Sequence, residues 1–129
     1  MGKQRNVTEE FGMHAGRVWT ALNTHGPLQK NELLEVTCLR ENELHAAVGW
    51  LAREDKVAHD ENRFHLRQTN LTTKIGANAG KVWQLLHTWR EVNVAHISEY
   101  LDMDEHETFS ALGWLAREGK IQLSIKKRD

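Results

Sequence analysis

The chain repeats itself at a fixed offset of 64 residues, and no other feature limits its possible folds as much. Gly16-Arg17-Val18-Trp19 returns as Gly80-Lys81-Val82-Trp83, and Gly49-Trp50-Leu51-Ala52-Arg53-Glu54 returns unchanged as Gly113-Trp114-Leu115-Ala116-Arg117-Glu118. Aligned without a gap, residues 11–65 and 75–129 share 18 identical positions. Two copies of so long a period indicate tandem domains, because a solenoid needs more repeats to close its core. The duplication is also an internal control. A residue type present in both copies serves the common fold, and one present in a single copy cannot belong to a site that both share.

Length alone suggests one domain for 129 residues, and the repeat replaces it with two of about 60 each. Domains this small bury only ~60% of their unfolded surface, so the halves are expected to lean on each other or on a second chain. No apolar run approaches the ~20 residues of a membrane span, which predicts no membrane association. The basic start, Met1 to Arg5, has no apolar stretch after it, which predicts no secretory signal. A lone cysteine, Cys38, suits a reducing cytoplasm. The sequons at Asn6 and Asn70 are then chance or helix-start chemistry. With 17 basic against 18 acidic residues the net charge is −1, unlike a strongly basic nucleic-acid binder.

Within copy one, Thr8 is the expected N-cap, with Glu9 and Glu10 suited to a helix start. Phe11, Ala15, Val18 and Leu22 recur at helical spacing, and Gly26-Pro27 ends that helix. Leu28 predicts a short strand before a second helix over 30–37 that buries Leu33, Leu34 and Val36. A tight turn at Cys38-Leu39 leads to a third helix over 40–54, with Leu44, Ala47, Val48 and Leu51 inward. Val57-Ala58-His59 and Phe64-His65-Leu66 alternate like a hairpin around a polar turn. Copy two repeats the plan, with Ile97, Tyr100 and Leu101 lining its second helix. Its third helix opens with Asp104 and Glu107 at capping-box spacing, and Gly119 fits a C-cap. Its hairpin is cut to a single strand at 121–125. The expected fold is mainly α with small β-wings, an α+β arrangement of two tandem winged helix-turn-helix domains at 1–68 and 74–129, joined by a linker at 69–73.

Two segments carry a resemblance. Ile75-Gly76-Ala77-Asn78-Ala79-Gly80-Lys81-Val82-Trp83 and Gly113-Trp114-Leu115-Ala116-Arg117-Glu118-Gly119-Lys120-Ile121 resemble the signature blocks of a small bacterial and archaeal winged helix-turn-helix family of unknown function. The resemblance spans nearly the whole chain as two copies. It implies the fold and, by analogy, DNA binding; it implies no ligand or activity. Copy one departs from it at Met13-His14, and copy two lacks the return strand of its wing.

The repeated tryptophans, Trp19, Trp50, Trp83 and Trp114, are expected to pack in the cores. Trp89, opposite His25, is the expected exposed aromatic. Gly12, Gly16, Gly76 and Gly80 lie inside a helix, where each costs about 1 kcal/mol relative to alanine, so something approaches that face closely. Either another helix of the same domain or a dimer seam would do so. Gly76 to Val82 is no phosphate loop, because the glycine spacing is short and Val82 stands where a hydroxyl must bind magnesium.

A winged helix usually reads DNA with its third helix. A 100° step from Leu44 places Asn42, His45, Ala46, Gly49 and Arg53 on the outward face, and in copy two His106, Phe109, Ser110, Gly113 and Arg117. Small residues keep that face shallow, which suggests that another body comes near. Segment 104–118 carries net charge −3 and segment 40–54 carries −1, which would repel phosphates. Positive charge gathers at Lys126, Lys127 and Arg128, with Arg63 and Arg67 on the first wing. No histidine pair recurs between copies, and no Cys/His spacing matches a metal site. No cofactor, metal or catalytic set is therefore expected. Two readings stand. One is DNA binding of transcription-regulator type to double-stranded DNA. The other is a protein-interaction or scaffolding module. The 121–125 edge strand is expected to meet another copy of the chain or the other half-domain, and self-association is expected through it or through the Gly12/Gly16 and Gly76/Gly80 faces.

Overall fold

A computed structural model describes the backbone of residues 4–126 and the side chains of residues 7–123. Strand β1 (Gln4–Asn6) leads into helix α1 (Val7–His25), α2 (Lys30–Thr37) and α3 (Glu41–Arg53), then the hairpin β2 (Val57–Asp60) and β3 (Arg63–Leu66). A π-helical turn at Thr72–Gly76 opens copy two, followed by α4 (Ala77–Trp89), α5 (Val94–Leu101), α6 (Glu105–Arg117) and β4 (Ser124–Lys126). The fold is mostly helical, with three helices in each copy and, among the described residues, a wing hairpin in copy one.

Local chemistry explains the boundaries. Glu43 and Glu107 accept the backbone N–H of Arg40 and Asp104 at 2.9 and 3.1 Å, and Asp104 accepts that of Glu107 at 2.7 Å, closing the anticipated capping box. Cys38 and Asp102 end α2 and α5 in the left-handed region, at φ 59° and 54°. The hairpin turns on Glu61 and Asn62, both at positive φ, the geometry a two-residue hairpin loop requires. Leu28 exchanges two backbone hydrogen bonds with Phe64 and so extends this wing by one bridge. The segment after the wing is pinned to it. Asn70 both donates to and accepts from the backbone of His59, and Thr69 donates its N–H to Asp55.

The two cores interlock. The first comprises Val18, Leu22, Leu33, Leu44, Leu51, Val57 and Phe64, and it takes in Ile75 from copy two. The second, around Val82, Ile97, Leu112 and Leu115, takes in Phe11 and Ala46 from copy one. Phe11 and Ile75 are equivalent positions, so the exchange is reciprocal. Trp50 and Trp114 each pack against both cores.

Several expectations need correction. Thr8 is not a cap; it lies inside α1, and its hydroxyl accepts the N–H of Leu123 at 2.8 Å. Trp19 and Trp83 are each 40% exposed, because the α1 and α4 stripes are narrow and these rings stand beside them. Val36 and Tyr100, expected inward, point out for the same reason on α2 and α5. Gly12 and Gly76 do meet a close neighbour, and it lies in their own copy. A Cβ there would come within 3.1 and 3.3 Å of the Trp50 and Trp114 rings. Gly16 and Gly80 face open space. Finally, the strand expected at 121–125 forms at Ser124–Lys126, and of the two partners expected for it, it meets the other half of the same chain. It pairs antiparallel with β1 of the same chain, Asn6 opposite Ser124, and Val7 N–H extends the ladder to Leu123.

Candidate functional site

The most extensive helix–helix contact in the molecule joins α3 to α6, the two third helices. Their first turns meet through Asn42, which donates to Glu105 at 3.0 Å. Their middles meet at Gly49 and Gly113. A Cβ on Gly49 would lie 1.9 Å from the Ser110 carbonyl oxygen, and one on Gly113 would lie 1.9 Å from that of Ala46. Their last turns meet where Arg53 reaches Glu118 at 2.9 Å and Arg117 reaches Glu54 at 2.8 Å. Start meets start and end meets end, so the helices run parallel. Shifting by 64 residues turns each of the glycine and arginine contacts into its partner, which is the signature of an isologous two-fold interface. The duplication has built a dimer seam inside one chain.

This arrangement turns the face expected to point outward onto the other copy. Ala46, Gly49, Ser110 and Gly113 are buried in the seam, and only residues without side-chain bulk let the backbones approach so closely. Arg53 lies over the Trp114 ring and Arg117 over the Trp50 ring, at 5.7 and 5.9 Å, while paired to their glutamates. Phe109 packs against the second core. Along this strip of small residues the third helices cover each other, while Arg53 and Arg117 stay exposed at its end.

At one end of the seam the symmetry is broken. His45 and His106 stack with ring centroids 4.3 Å apart, and His106 Nε2 lies 2.9 Å from Glu41 Oε2. Glu41 also holds Lys30 at 2.8 Å, and that hydrogen bond and charge keep its carboxyl below the usual range. Burial, reinforced by His106 and Lys30, pushes the His45 imidazole down to about 4. Its Nε2 is buried without a hydrogen-bond partner. Glu41, His45 and His106 each offer a metal-ligating atom, and these lie within 4.8 Å of one another. Sequence spacing missed this group because it joins two copies at non-equivalent positions.

The basic candidates lie elsewhere. Arg63 is exposed on β3, and Arg67 is paired to Asp60, which also binds His65. Lys127 and Arg128 lie outside the described residues, as does the side chain of Lys126. A cleft of about 290 Å³ opens between the end of α4 and α5, lined by Leu85, Trp89, Val92, Asn93, His96 and Tyr100. Trp89 and Tyr100 form an edge-on aromatic pair at 6.2 Å, and each is more than half exposed. The positions equivalent to this pair carry His25 and Val36, so copy one has no such pair.

Among the described residues no helix is long and apolar enough to cross a membrane. No curated protein and no solved structure matches the chain. The family model described as "Winged helix-turn-helix domain (DUF2582)" matches twice, over residues 1–70 and 68–129. The chain belongs to this winged helix-turn-helix domain family and carries two copies of its domain.

Proposed function

We propose that this protein is a non-catalytic, cytoplasmic protein-interaction module, a single-chain pseudo-dimer that presents the Trp89–Tyr100 cleft to a partner polypeptide. The observation that carries this reading is the occupation of both third-helix faces by each other, which removes the usual route to DNA. Among the surfaces that remain in reach of a partner is the aromatic cleft. Its volume of about 290 Å³ falls at the lower limit of ligand pockets and suits one or two apolar side chains better than a whole small molecule. Exposed tryptophan and tyrosine beside aliphatic walls are the residue types that dominate binding energy at protein interfaces. Among the described residues no nucleophile stands beside an activated base in the cleft, which supports a binding role.

The test is selection of peptides from a random library on the purified chain. Selected peptides should share an apolar anchor residue, and Trp89→Ala or Tyr100→Ala should weaken their binding at least tenfold. Selected peptides indifferent to both substitutions would refute the cleft as the docking site.

A second reading retains double-stranded DNA, because the family is a winged helix-turn-helix and Arg63 is exposed on the first wing. On that reading Arg63, Arg67 and the basic tail contact phosphates without a helix in the groove. Affinity for DNA would then fall with salt at a log–log slope of about −0.9 per phosphate neutralised, and Arg63→Ala would reduce that slope by about one contact.

A further inference from the structure

We propose that Glu41, His45 and His106 form a single transition-metal site, suited to Zn²⁺, that staples the two third helices together at one end of the seam. Two imidazoles and a carboxylate form a donor set that Zn²⁺ accepts, with one position left for water. Bonds of about 2.0–2.2 Å around a tetrahedral ion place ligand atoms roughly 3.4 Å apart. The three donors already lie within 4.8 Å of one another, so the widest pair has at most about 1.4 Å left to close. Splaying the stacked His45 and His106 rings would aim their in-plane lone pairs at a common point. The buried Nε2 of His45 has no hydrogen-bond partner, an arrangement that costs free energy unless something fills it. A metal ion would supply that partner.

The duplication predicts the stoichiometry. Across the pseudo-two-fold axis the equivalents of Glu41, His45 and His106 are Glu105, Phe109 and Asn42. There a direct Asn42–Glu105 hydrogen bond stands in place of a ligand set. One site per chain follows. Lys30 already holds Glu41 Oε2, so the ion competes with an existing ion pair for that carboxylate.

The same symmetry supplies substitutions that the fold already tolerates at the matching place, namely His45→Phe and His106→Asn. The experiment is titration of the tag-free full chain with ZnCl2 by calorimetry, with visible absorption of the Co²⁺ form as a second readout. Circular dichroism and melting temperature verify that each variant is folded. The expected result is one Zn²⁺ per chain, a raised melting temperature on binding, and at least a tenfold loss of affinity in each variant. Glu41→Gln should also weaken binding, whereas Lys30→Ala should tighten it. Replacing the exposed His87 by Gln should change nothing. Absence of stoichiometric binding, or equal affinity in wild type and both histidine variants, would overturn the proposal. So would a loss in His87→Gln as large as in the others.

Discussion

Gly49 lies against the backbone carbonyl of Ser110 so tightly that an added Cβ would stand 1.9 Å from the oxygen. Gly113 stands in the same relation to Ala46. Neither contact can be relieved by rotating a side chain, because the obstructing atom is backbone. Gly49→Ala or Gly113→Ala must therefore push α3 and α6 apart along their length. Each should cost ~3 kcal/mol or more, the upper part of the range for overpacking. Urea unfolding measures the loss, and an unchanged midpoint in either variant would contradict the seam.

Gly16 and Gly80 make the opposite case. They sit inside helices, meet no atom within 4 Å at the Cβ position and have helical backbone angles. Gly16→Ala and Gly80→Ala should each raise stability by about 0.5–1 kcal/mol through helix propensity alone. Thermal or urea unfolding checks the sign. A destabilised variant would mean that these faces are covered by something beyond the chain.

His45 makes stability depend on pH. Its folded-state value of about 4 lies below the ordinary value of 6.5, so the unfolded chain takes up a proton first as pH falls. The groups that face it are Glu41 of its own helix, Lys30 of α2, and Asp104 and His106 of the second copy. Its contribution is complete above pH 6.5 and is lost progressively as pH drops from there towards 4. Partial exposure of the ring reduces the linkage to on the order of 1–2 kcal/mol. In buffer with chelator, the stability of His45→Phe should be flatter across that window than wild type by this amount. Parallel curves would show that His45 titrates normally.

The repeat, and the local structure that residue chemistry builds within each copy, were legible in the sequence. The helix order, the Asp104 capping box, the Gly119 cap at φ +71° and the wing turn all stand where residue chemistry placed them. Gly49 and Gly113 announced a close approach, but nothing in a linear pattern says that each copy's helix is the other's neighbour. Trp19 and Trp83 escape the cores because a residue adjacent to an apolar stripe need not belong to it. One step of 100° from Val18 or Val82 is enough to bring a ring to the surface. The Glu41, His45 and His106 group was invisible to spacing rules, since it exists only when His45 and Glu41 of one copy face His106 of the other.

The β1–β4 pairing yields a further prediction. Gln4–Asn6 covers the edge of Ser124–Lys126, and bare edges recruit other chains. A variant beginning at Val7 should lose that cover and self-associate at concentrations where the full chain does not. Sedimentation velocity compares the two. A truncated chain that sediments as the full chain does would show that the edge is protected in some other way.

The two third helices face each other within one chain, and the proposed function rests on that contact keeping this face from DNA. Nuclear Overhauser contacts between the Hα protons of Gly49 and Ser110, and of Gly113 and Ala46, test it most directly. They should be strong, should arise within a single chain in mixed-label samples, and should persist unchanged when double-stranded DNA is added. Their absence, with amide signals of residues 42–53 and 106–117 shifting on addition of DNA, would contradict the account.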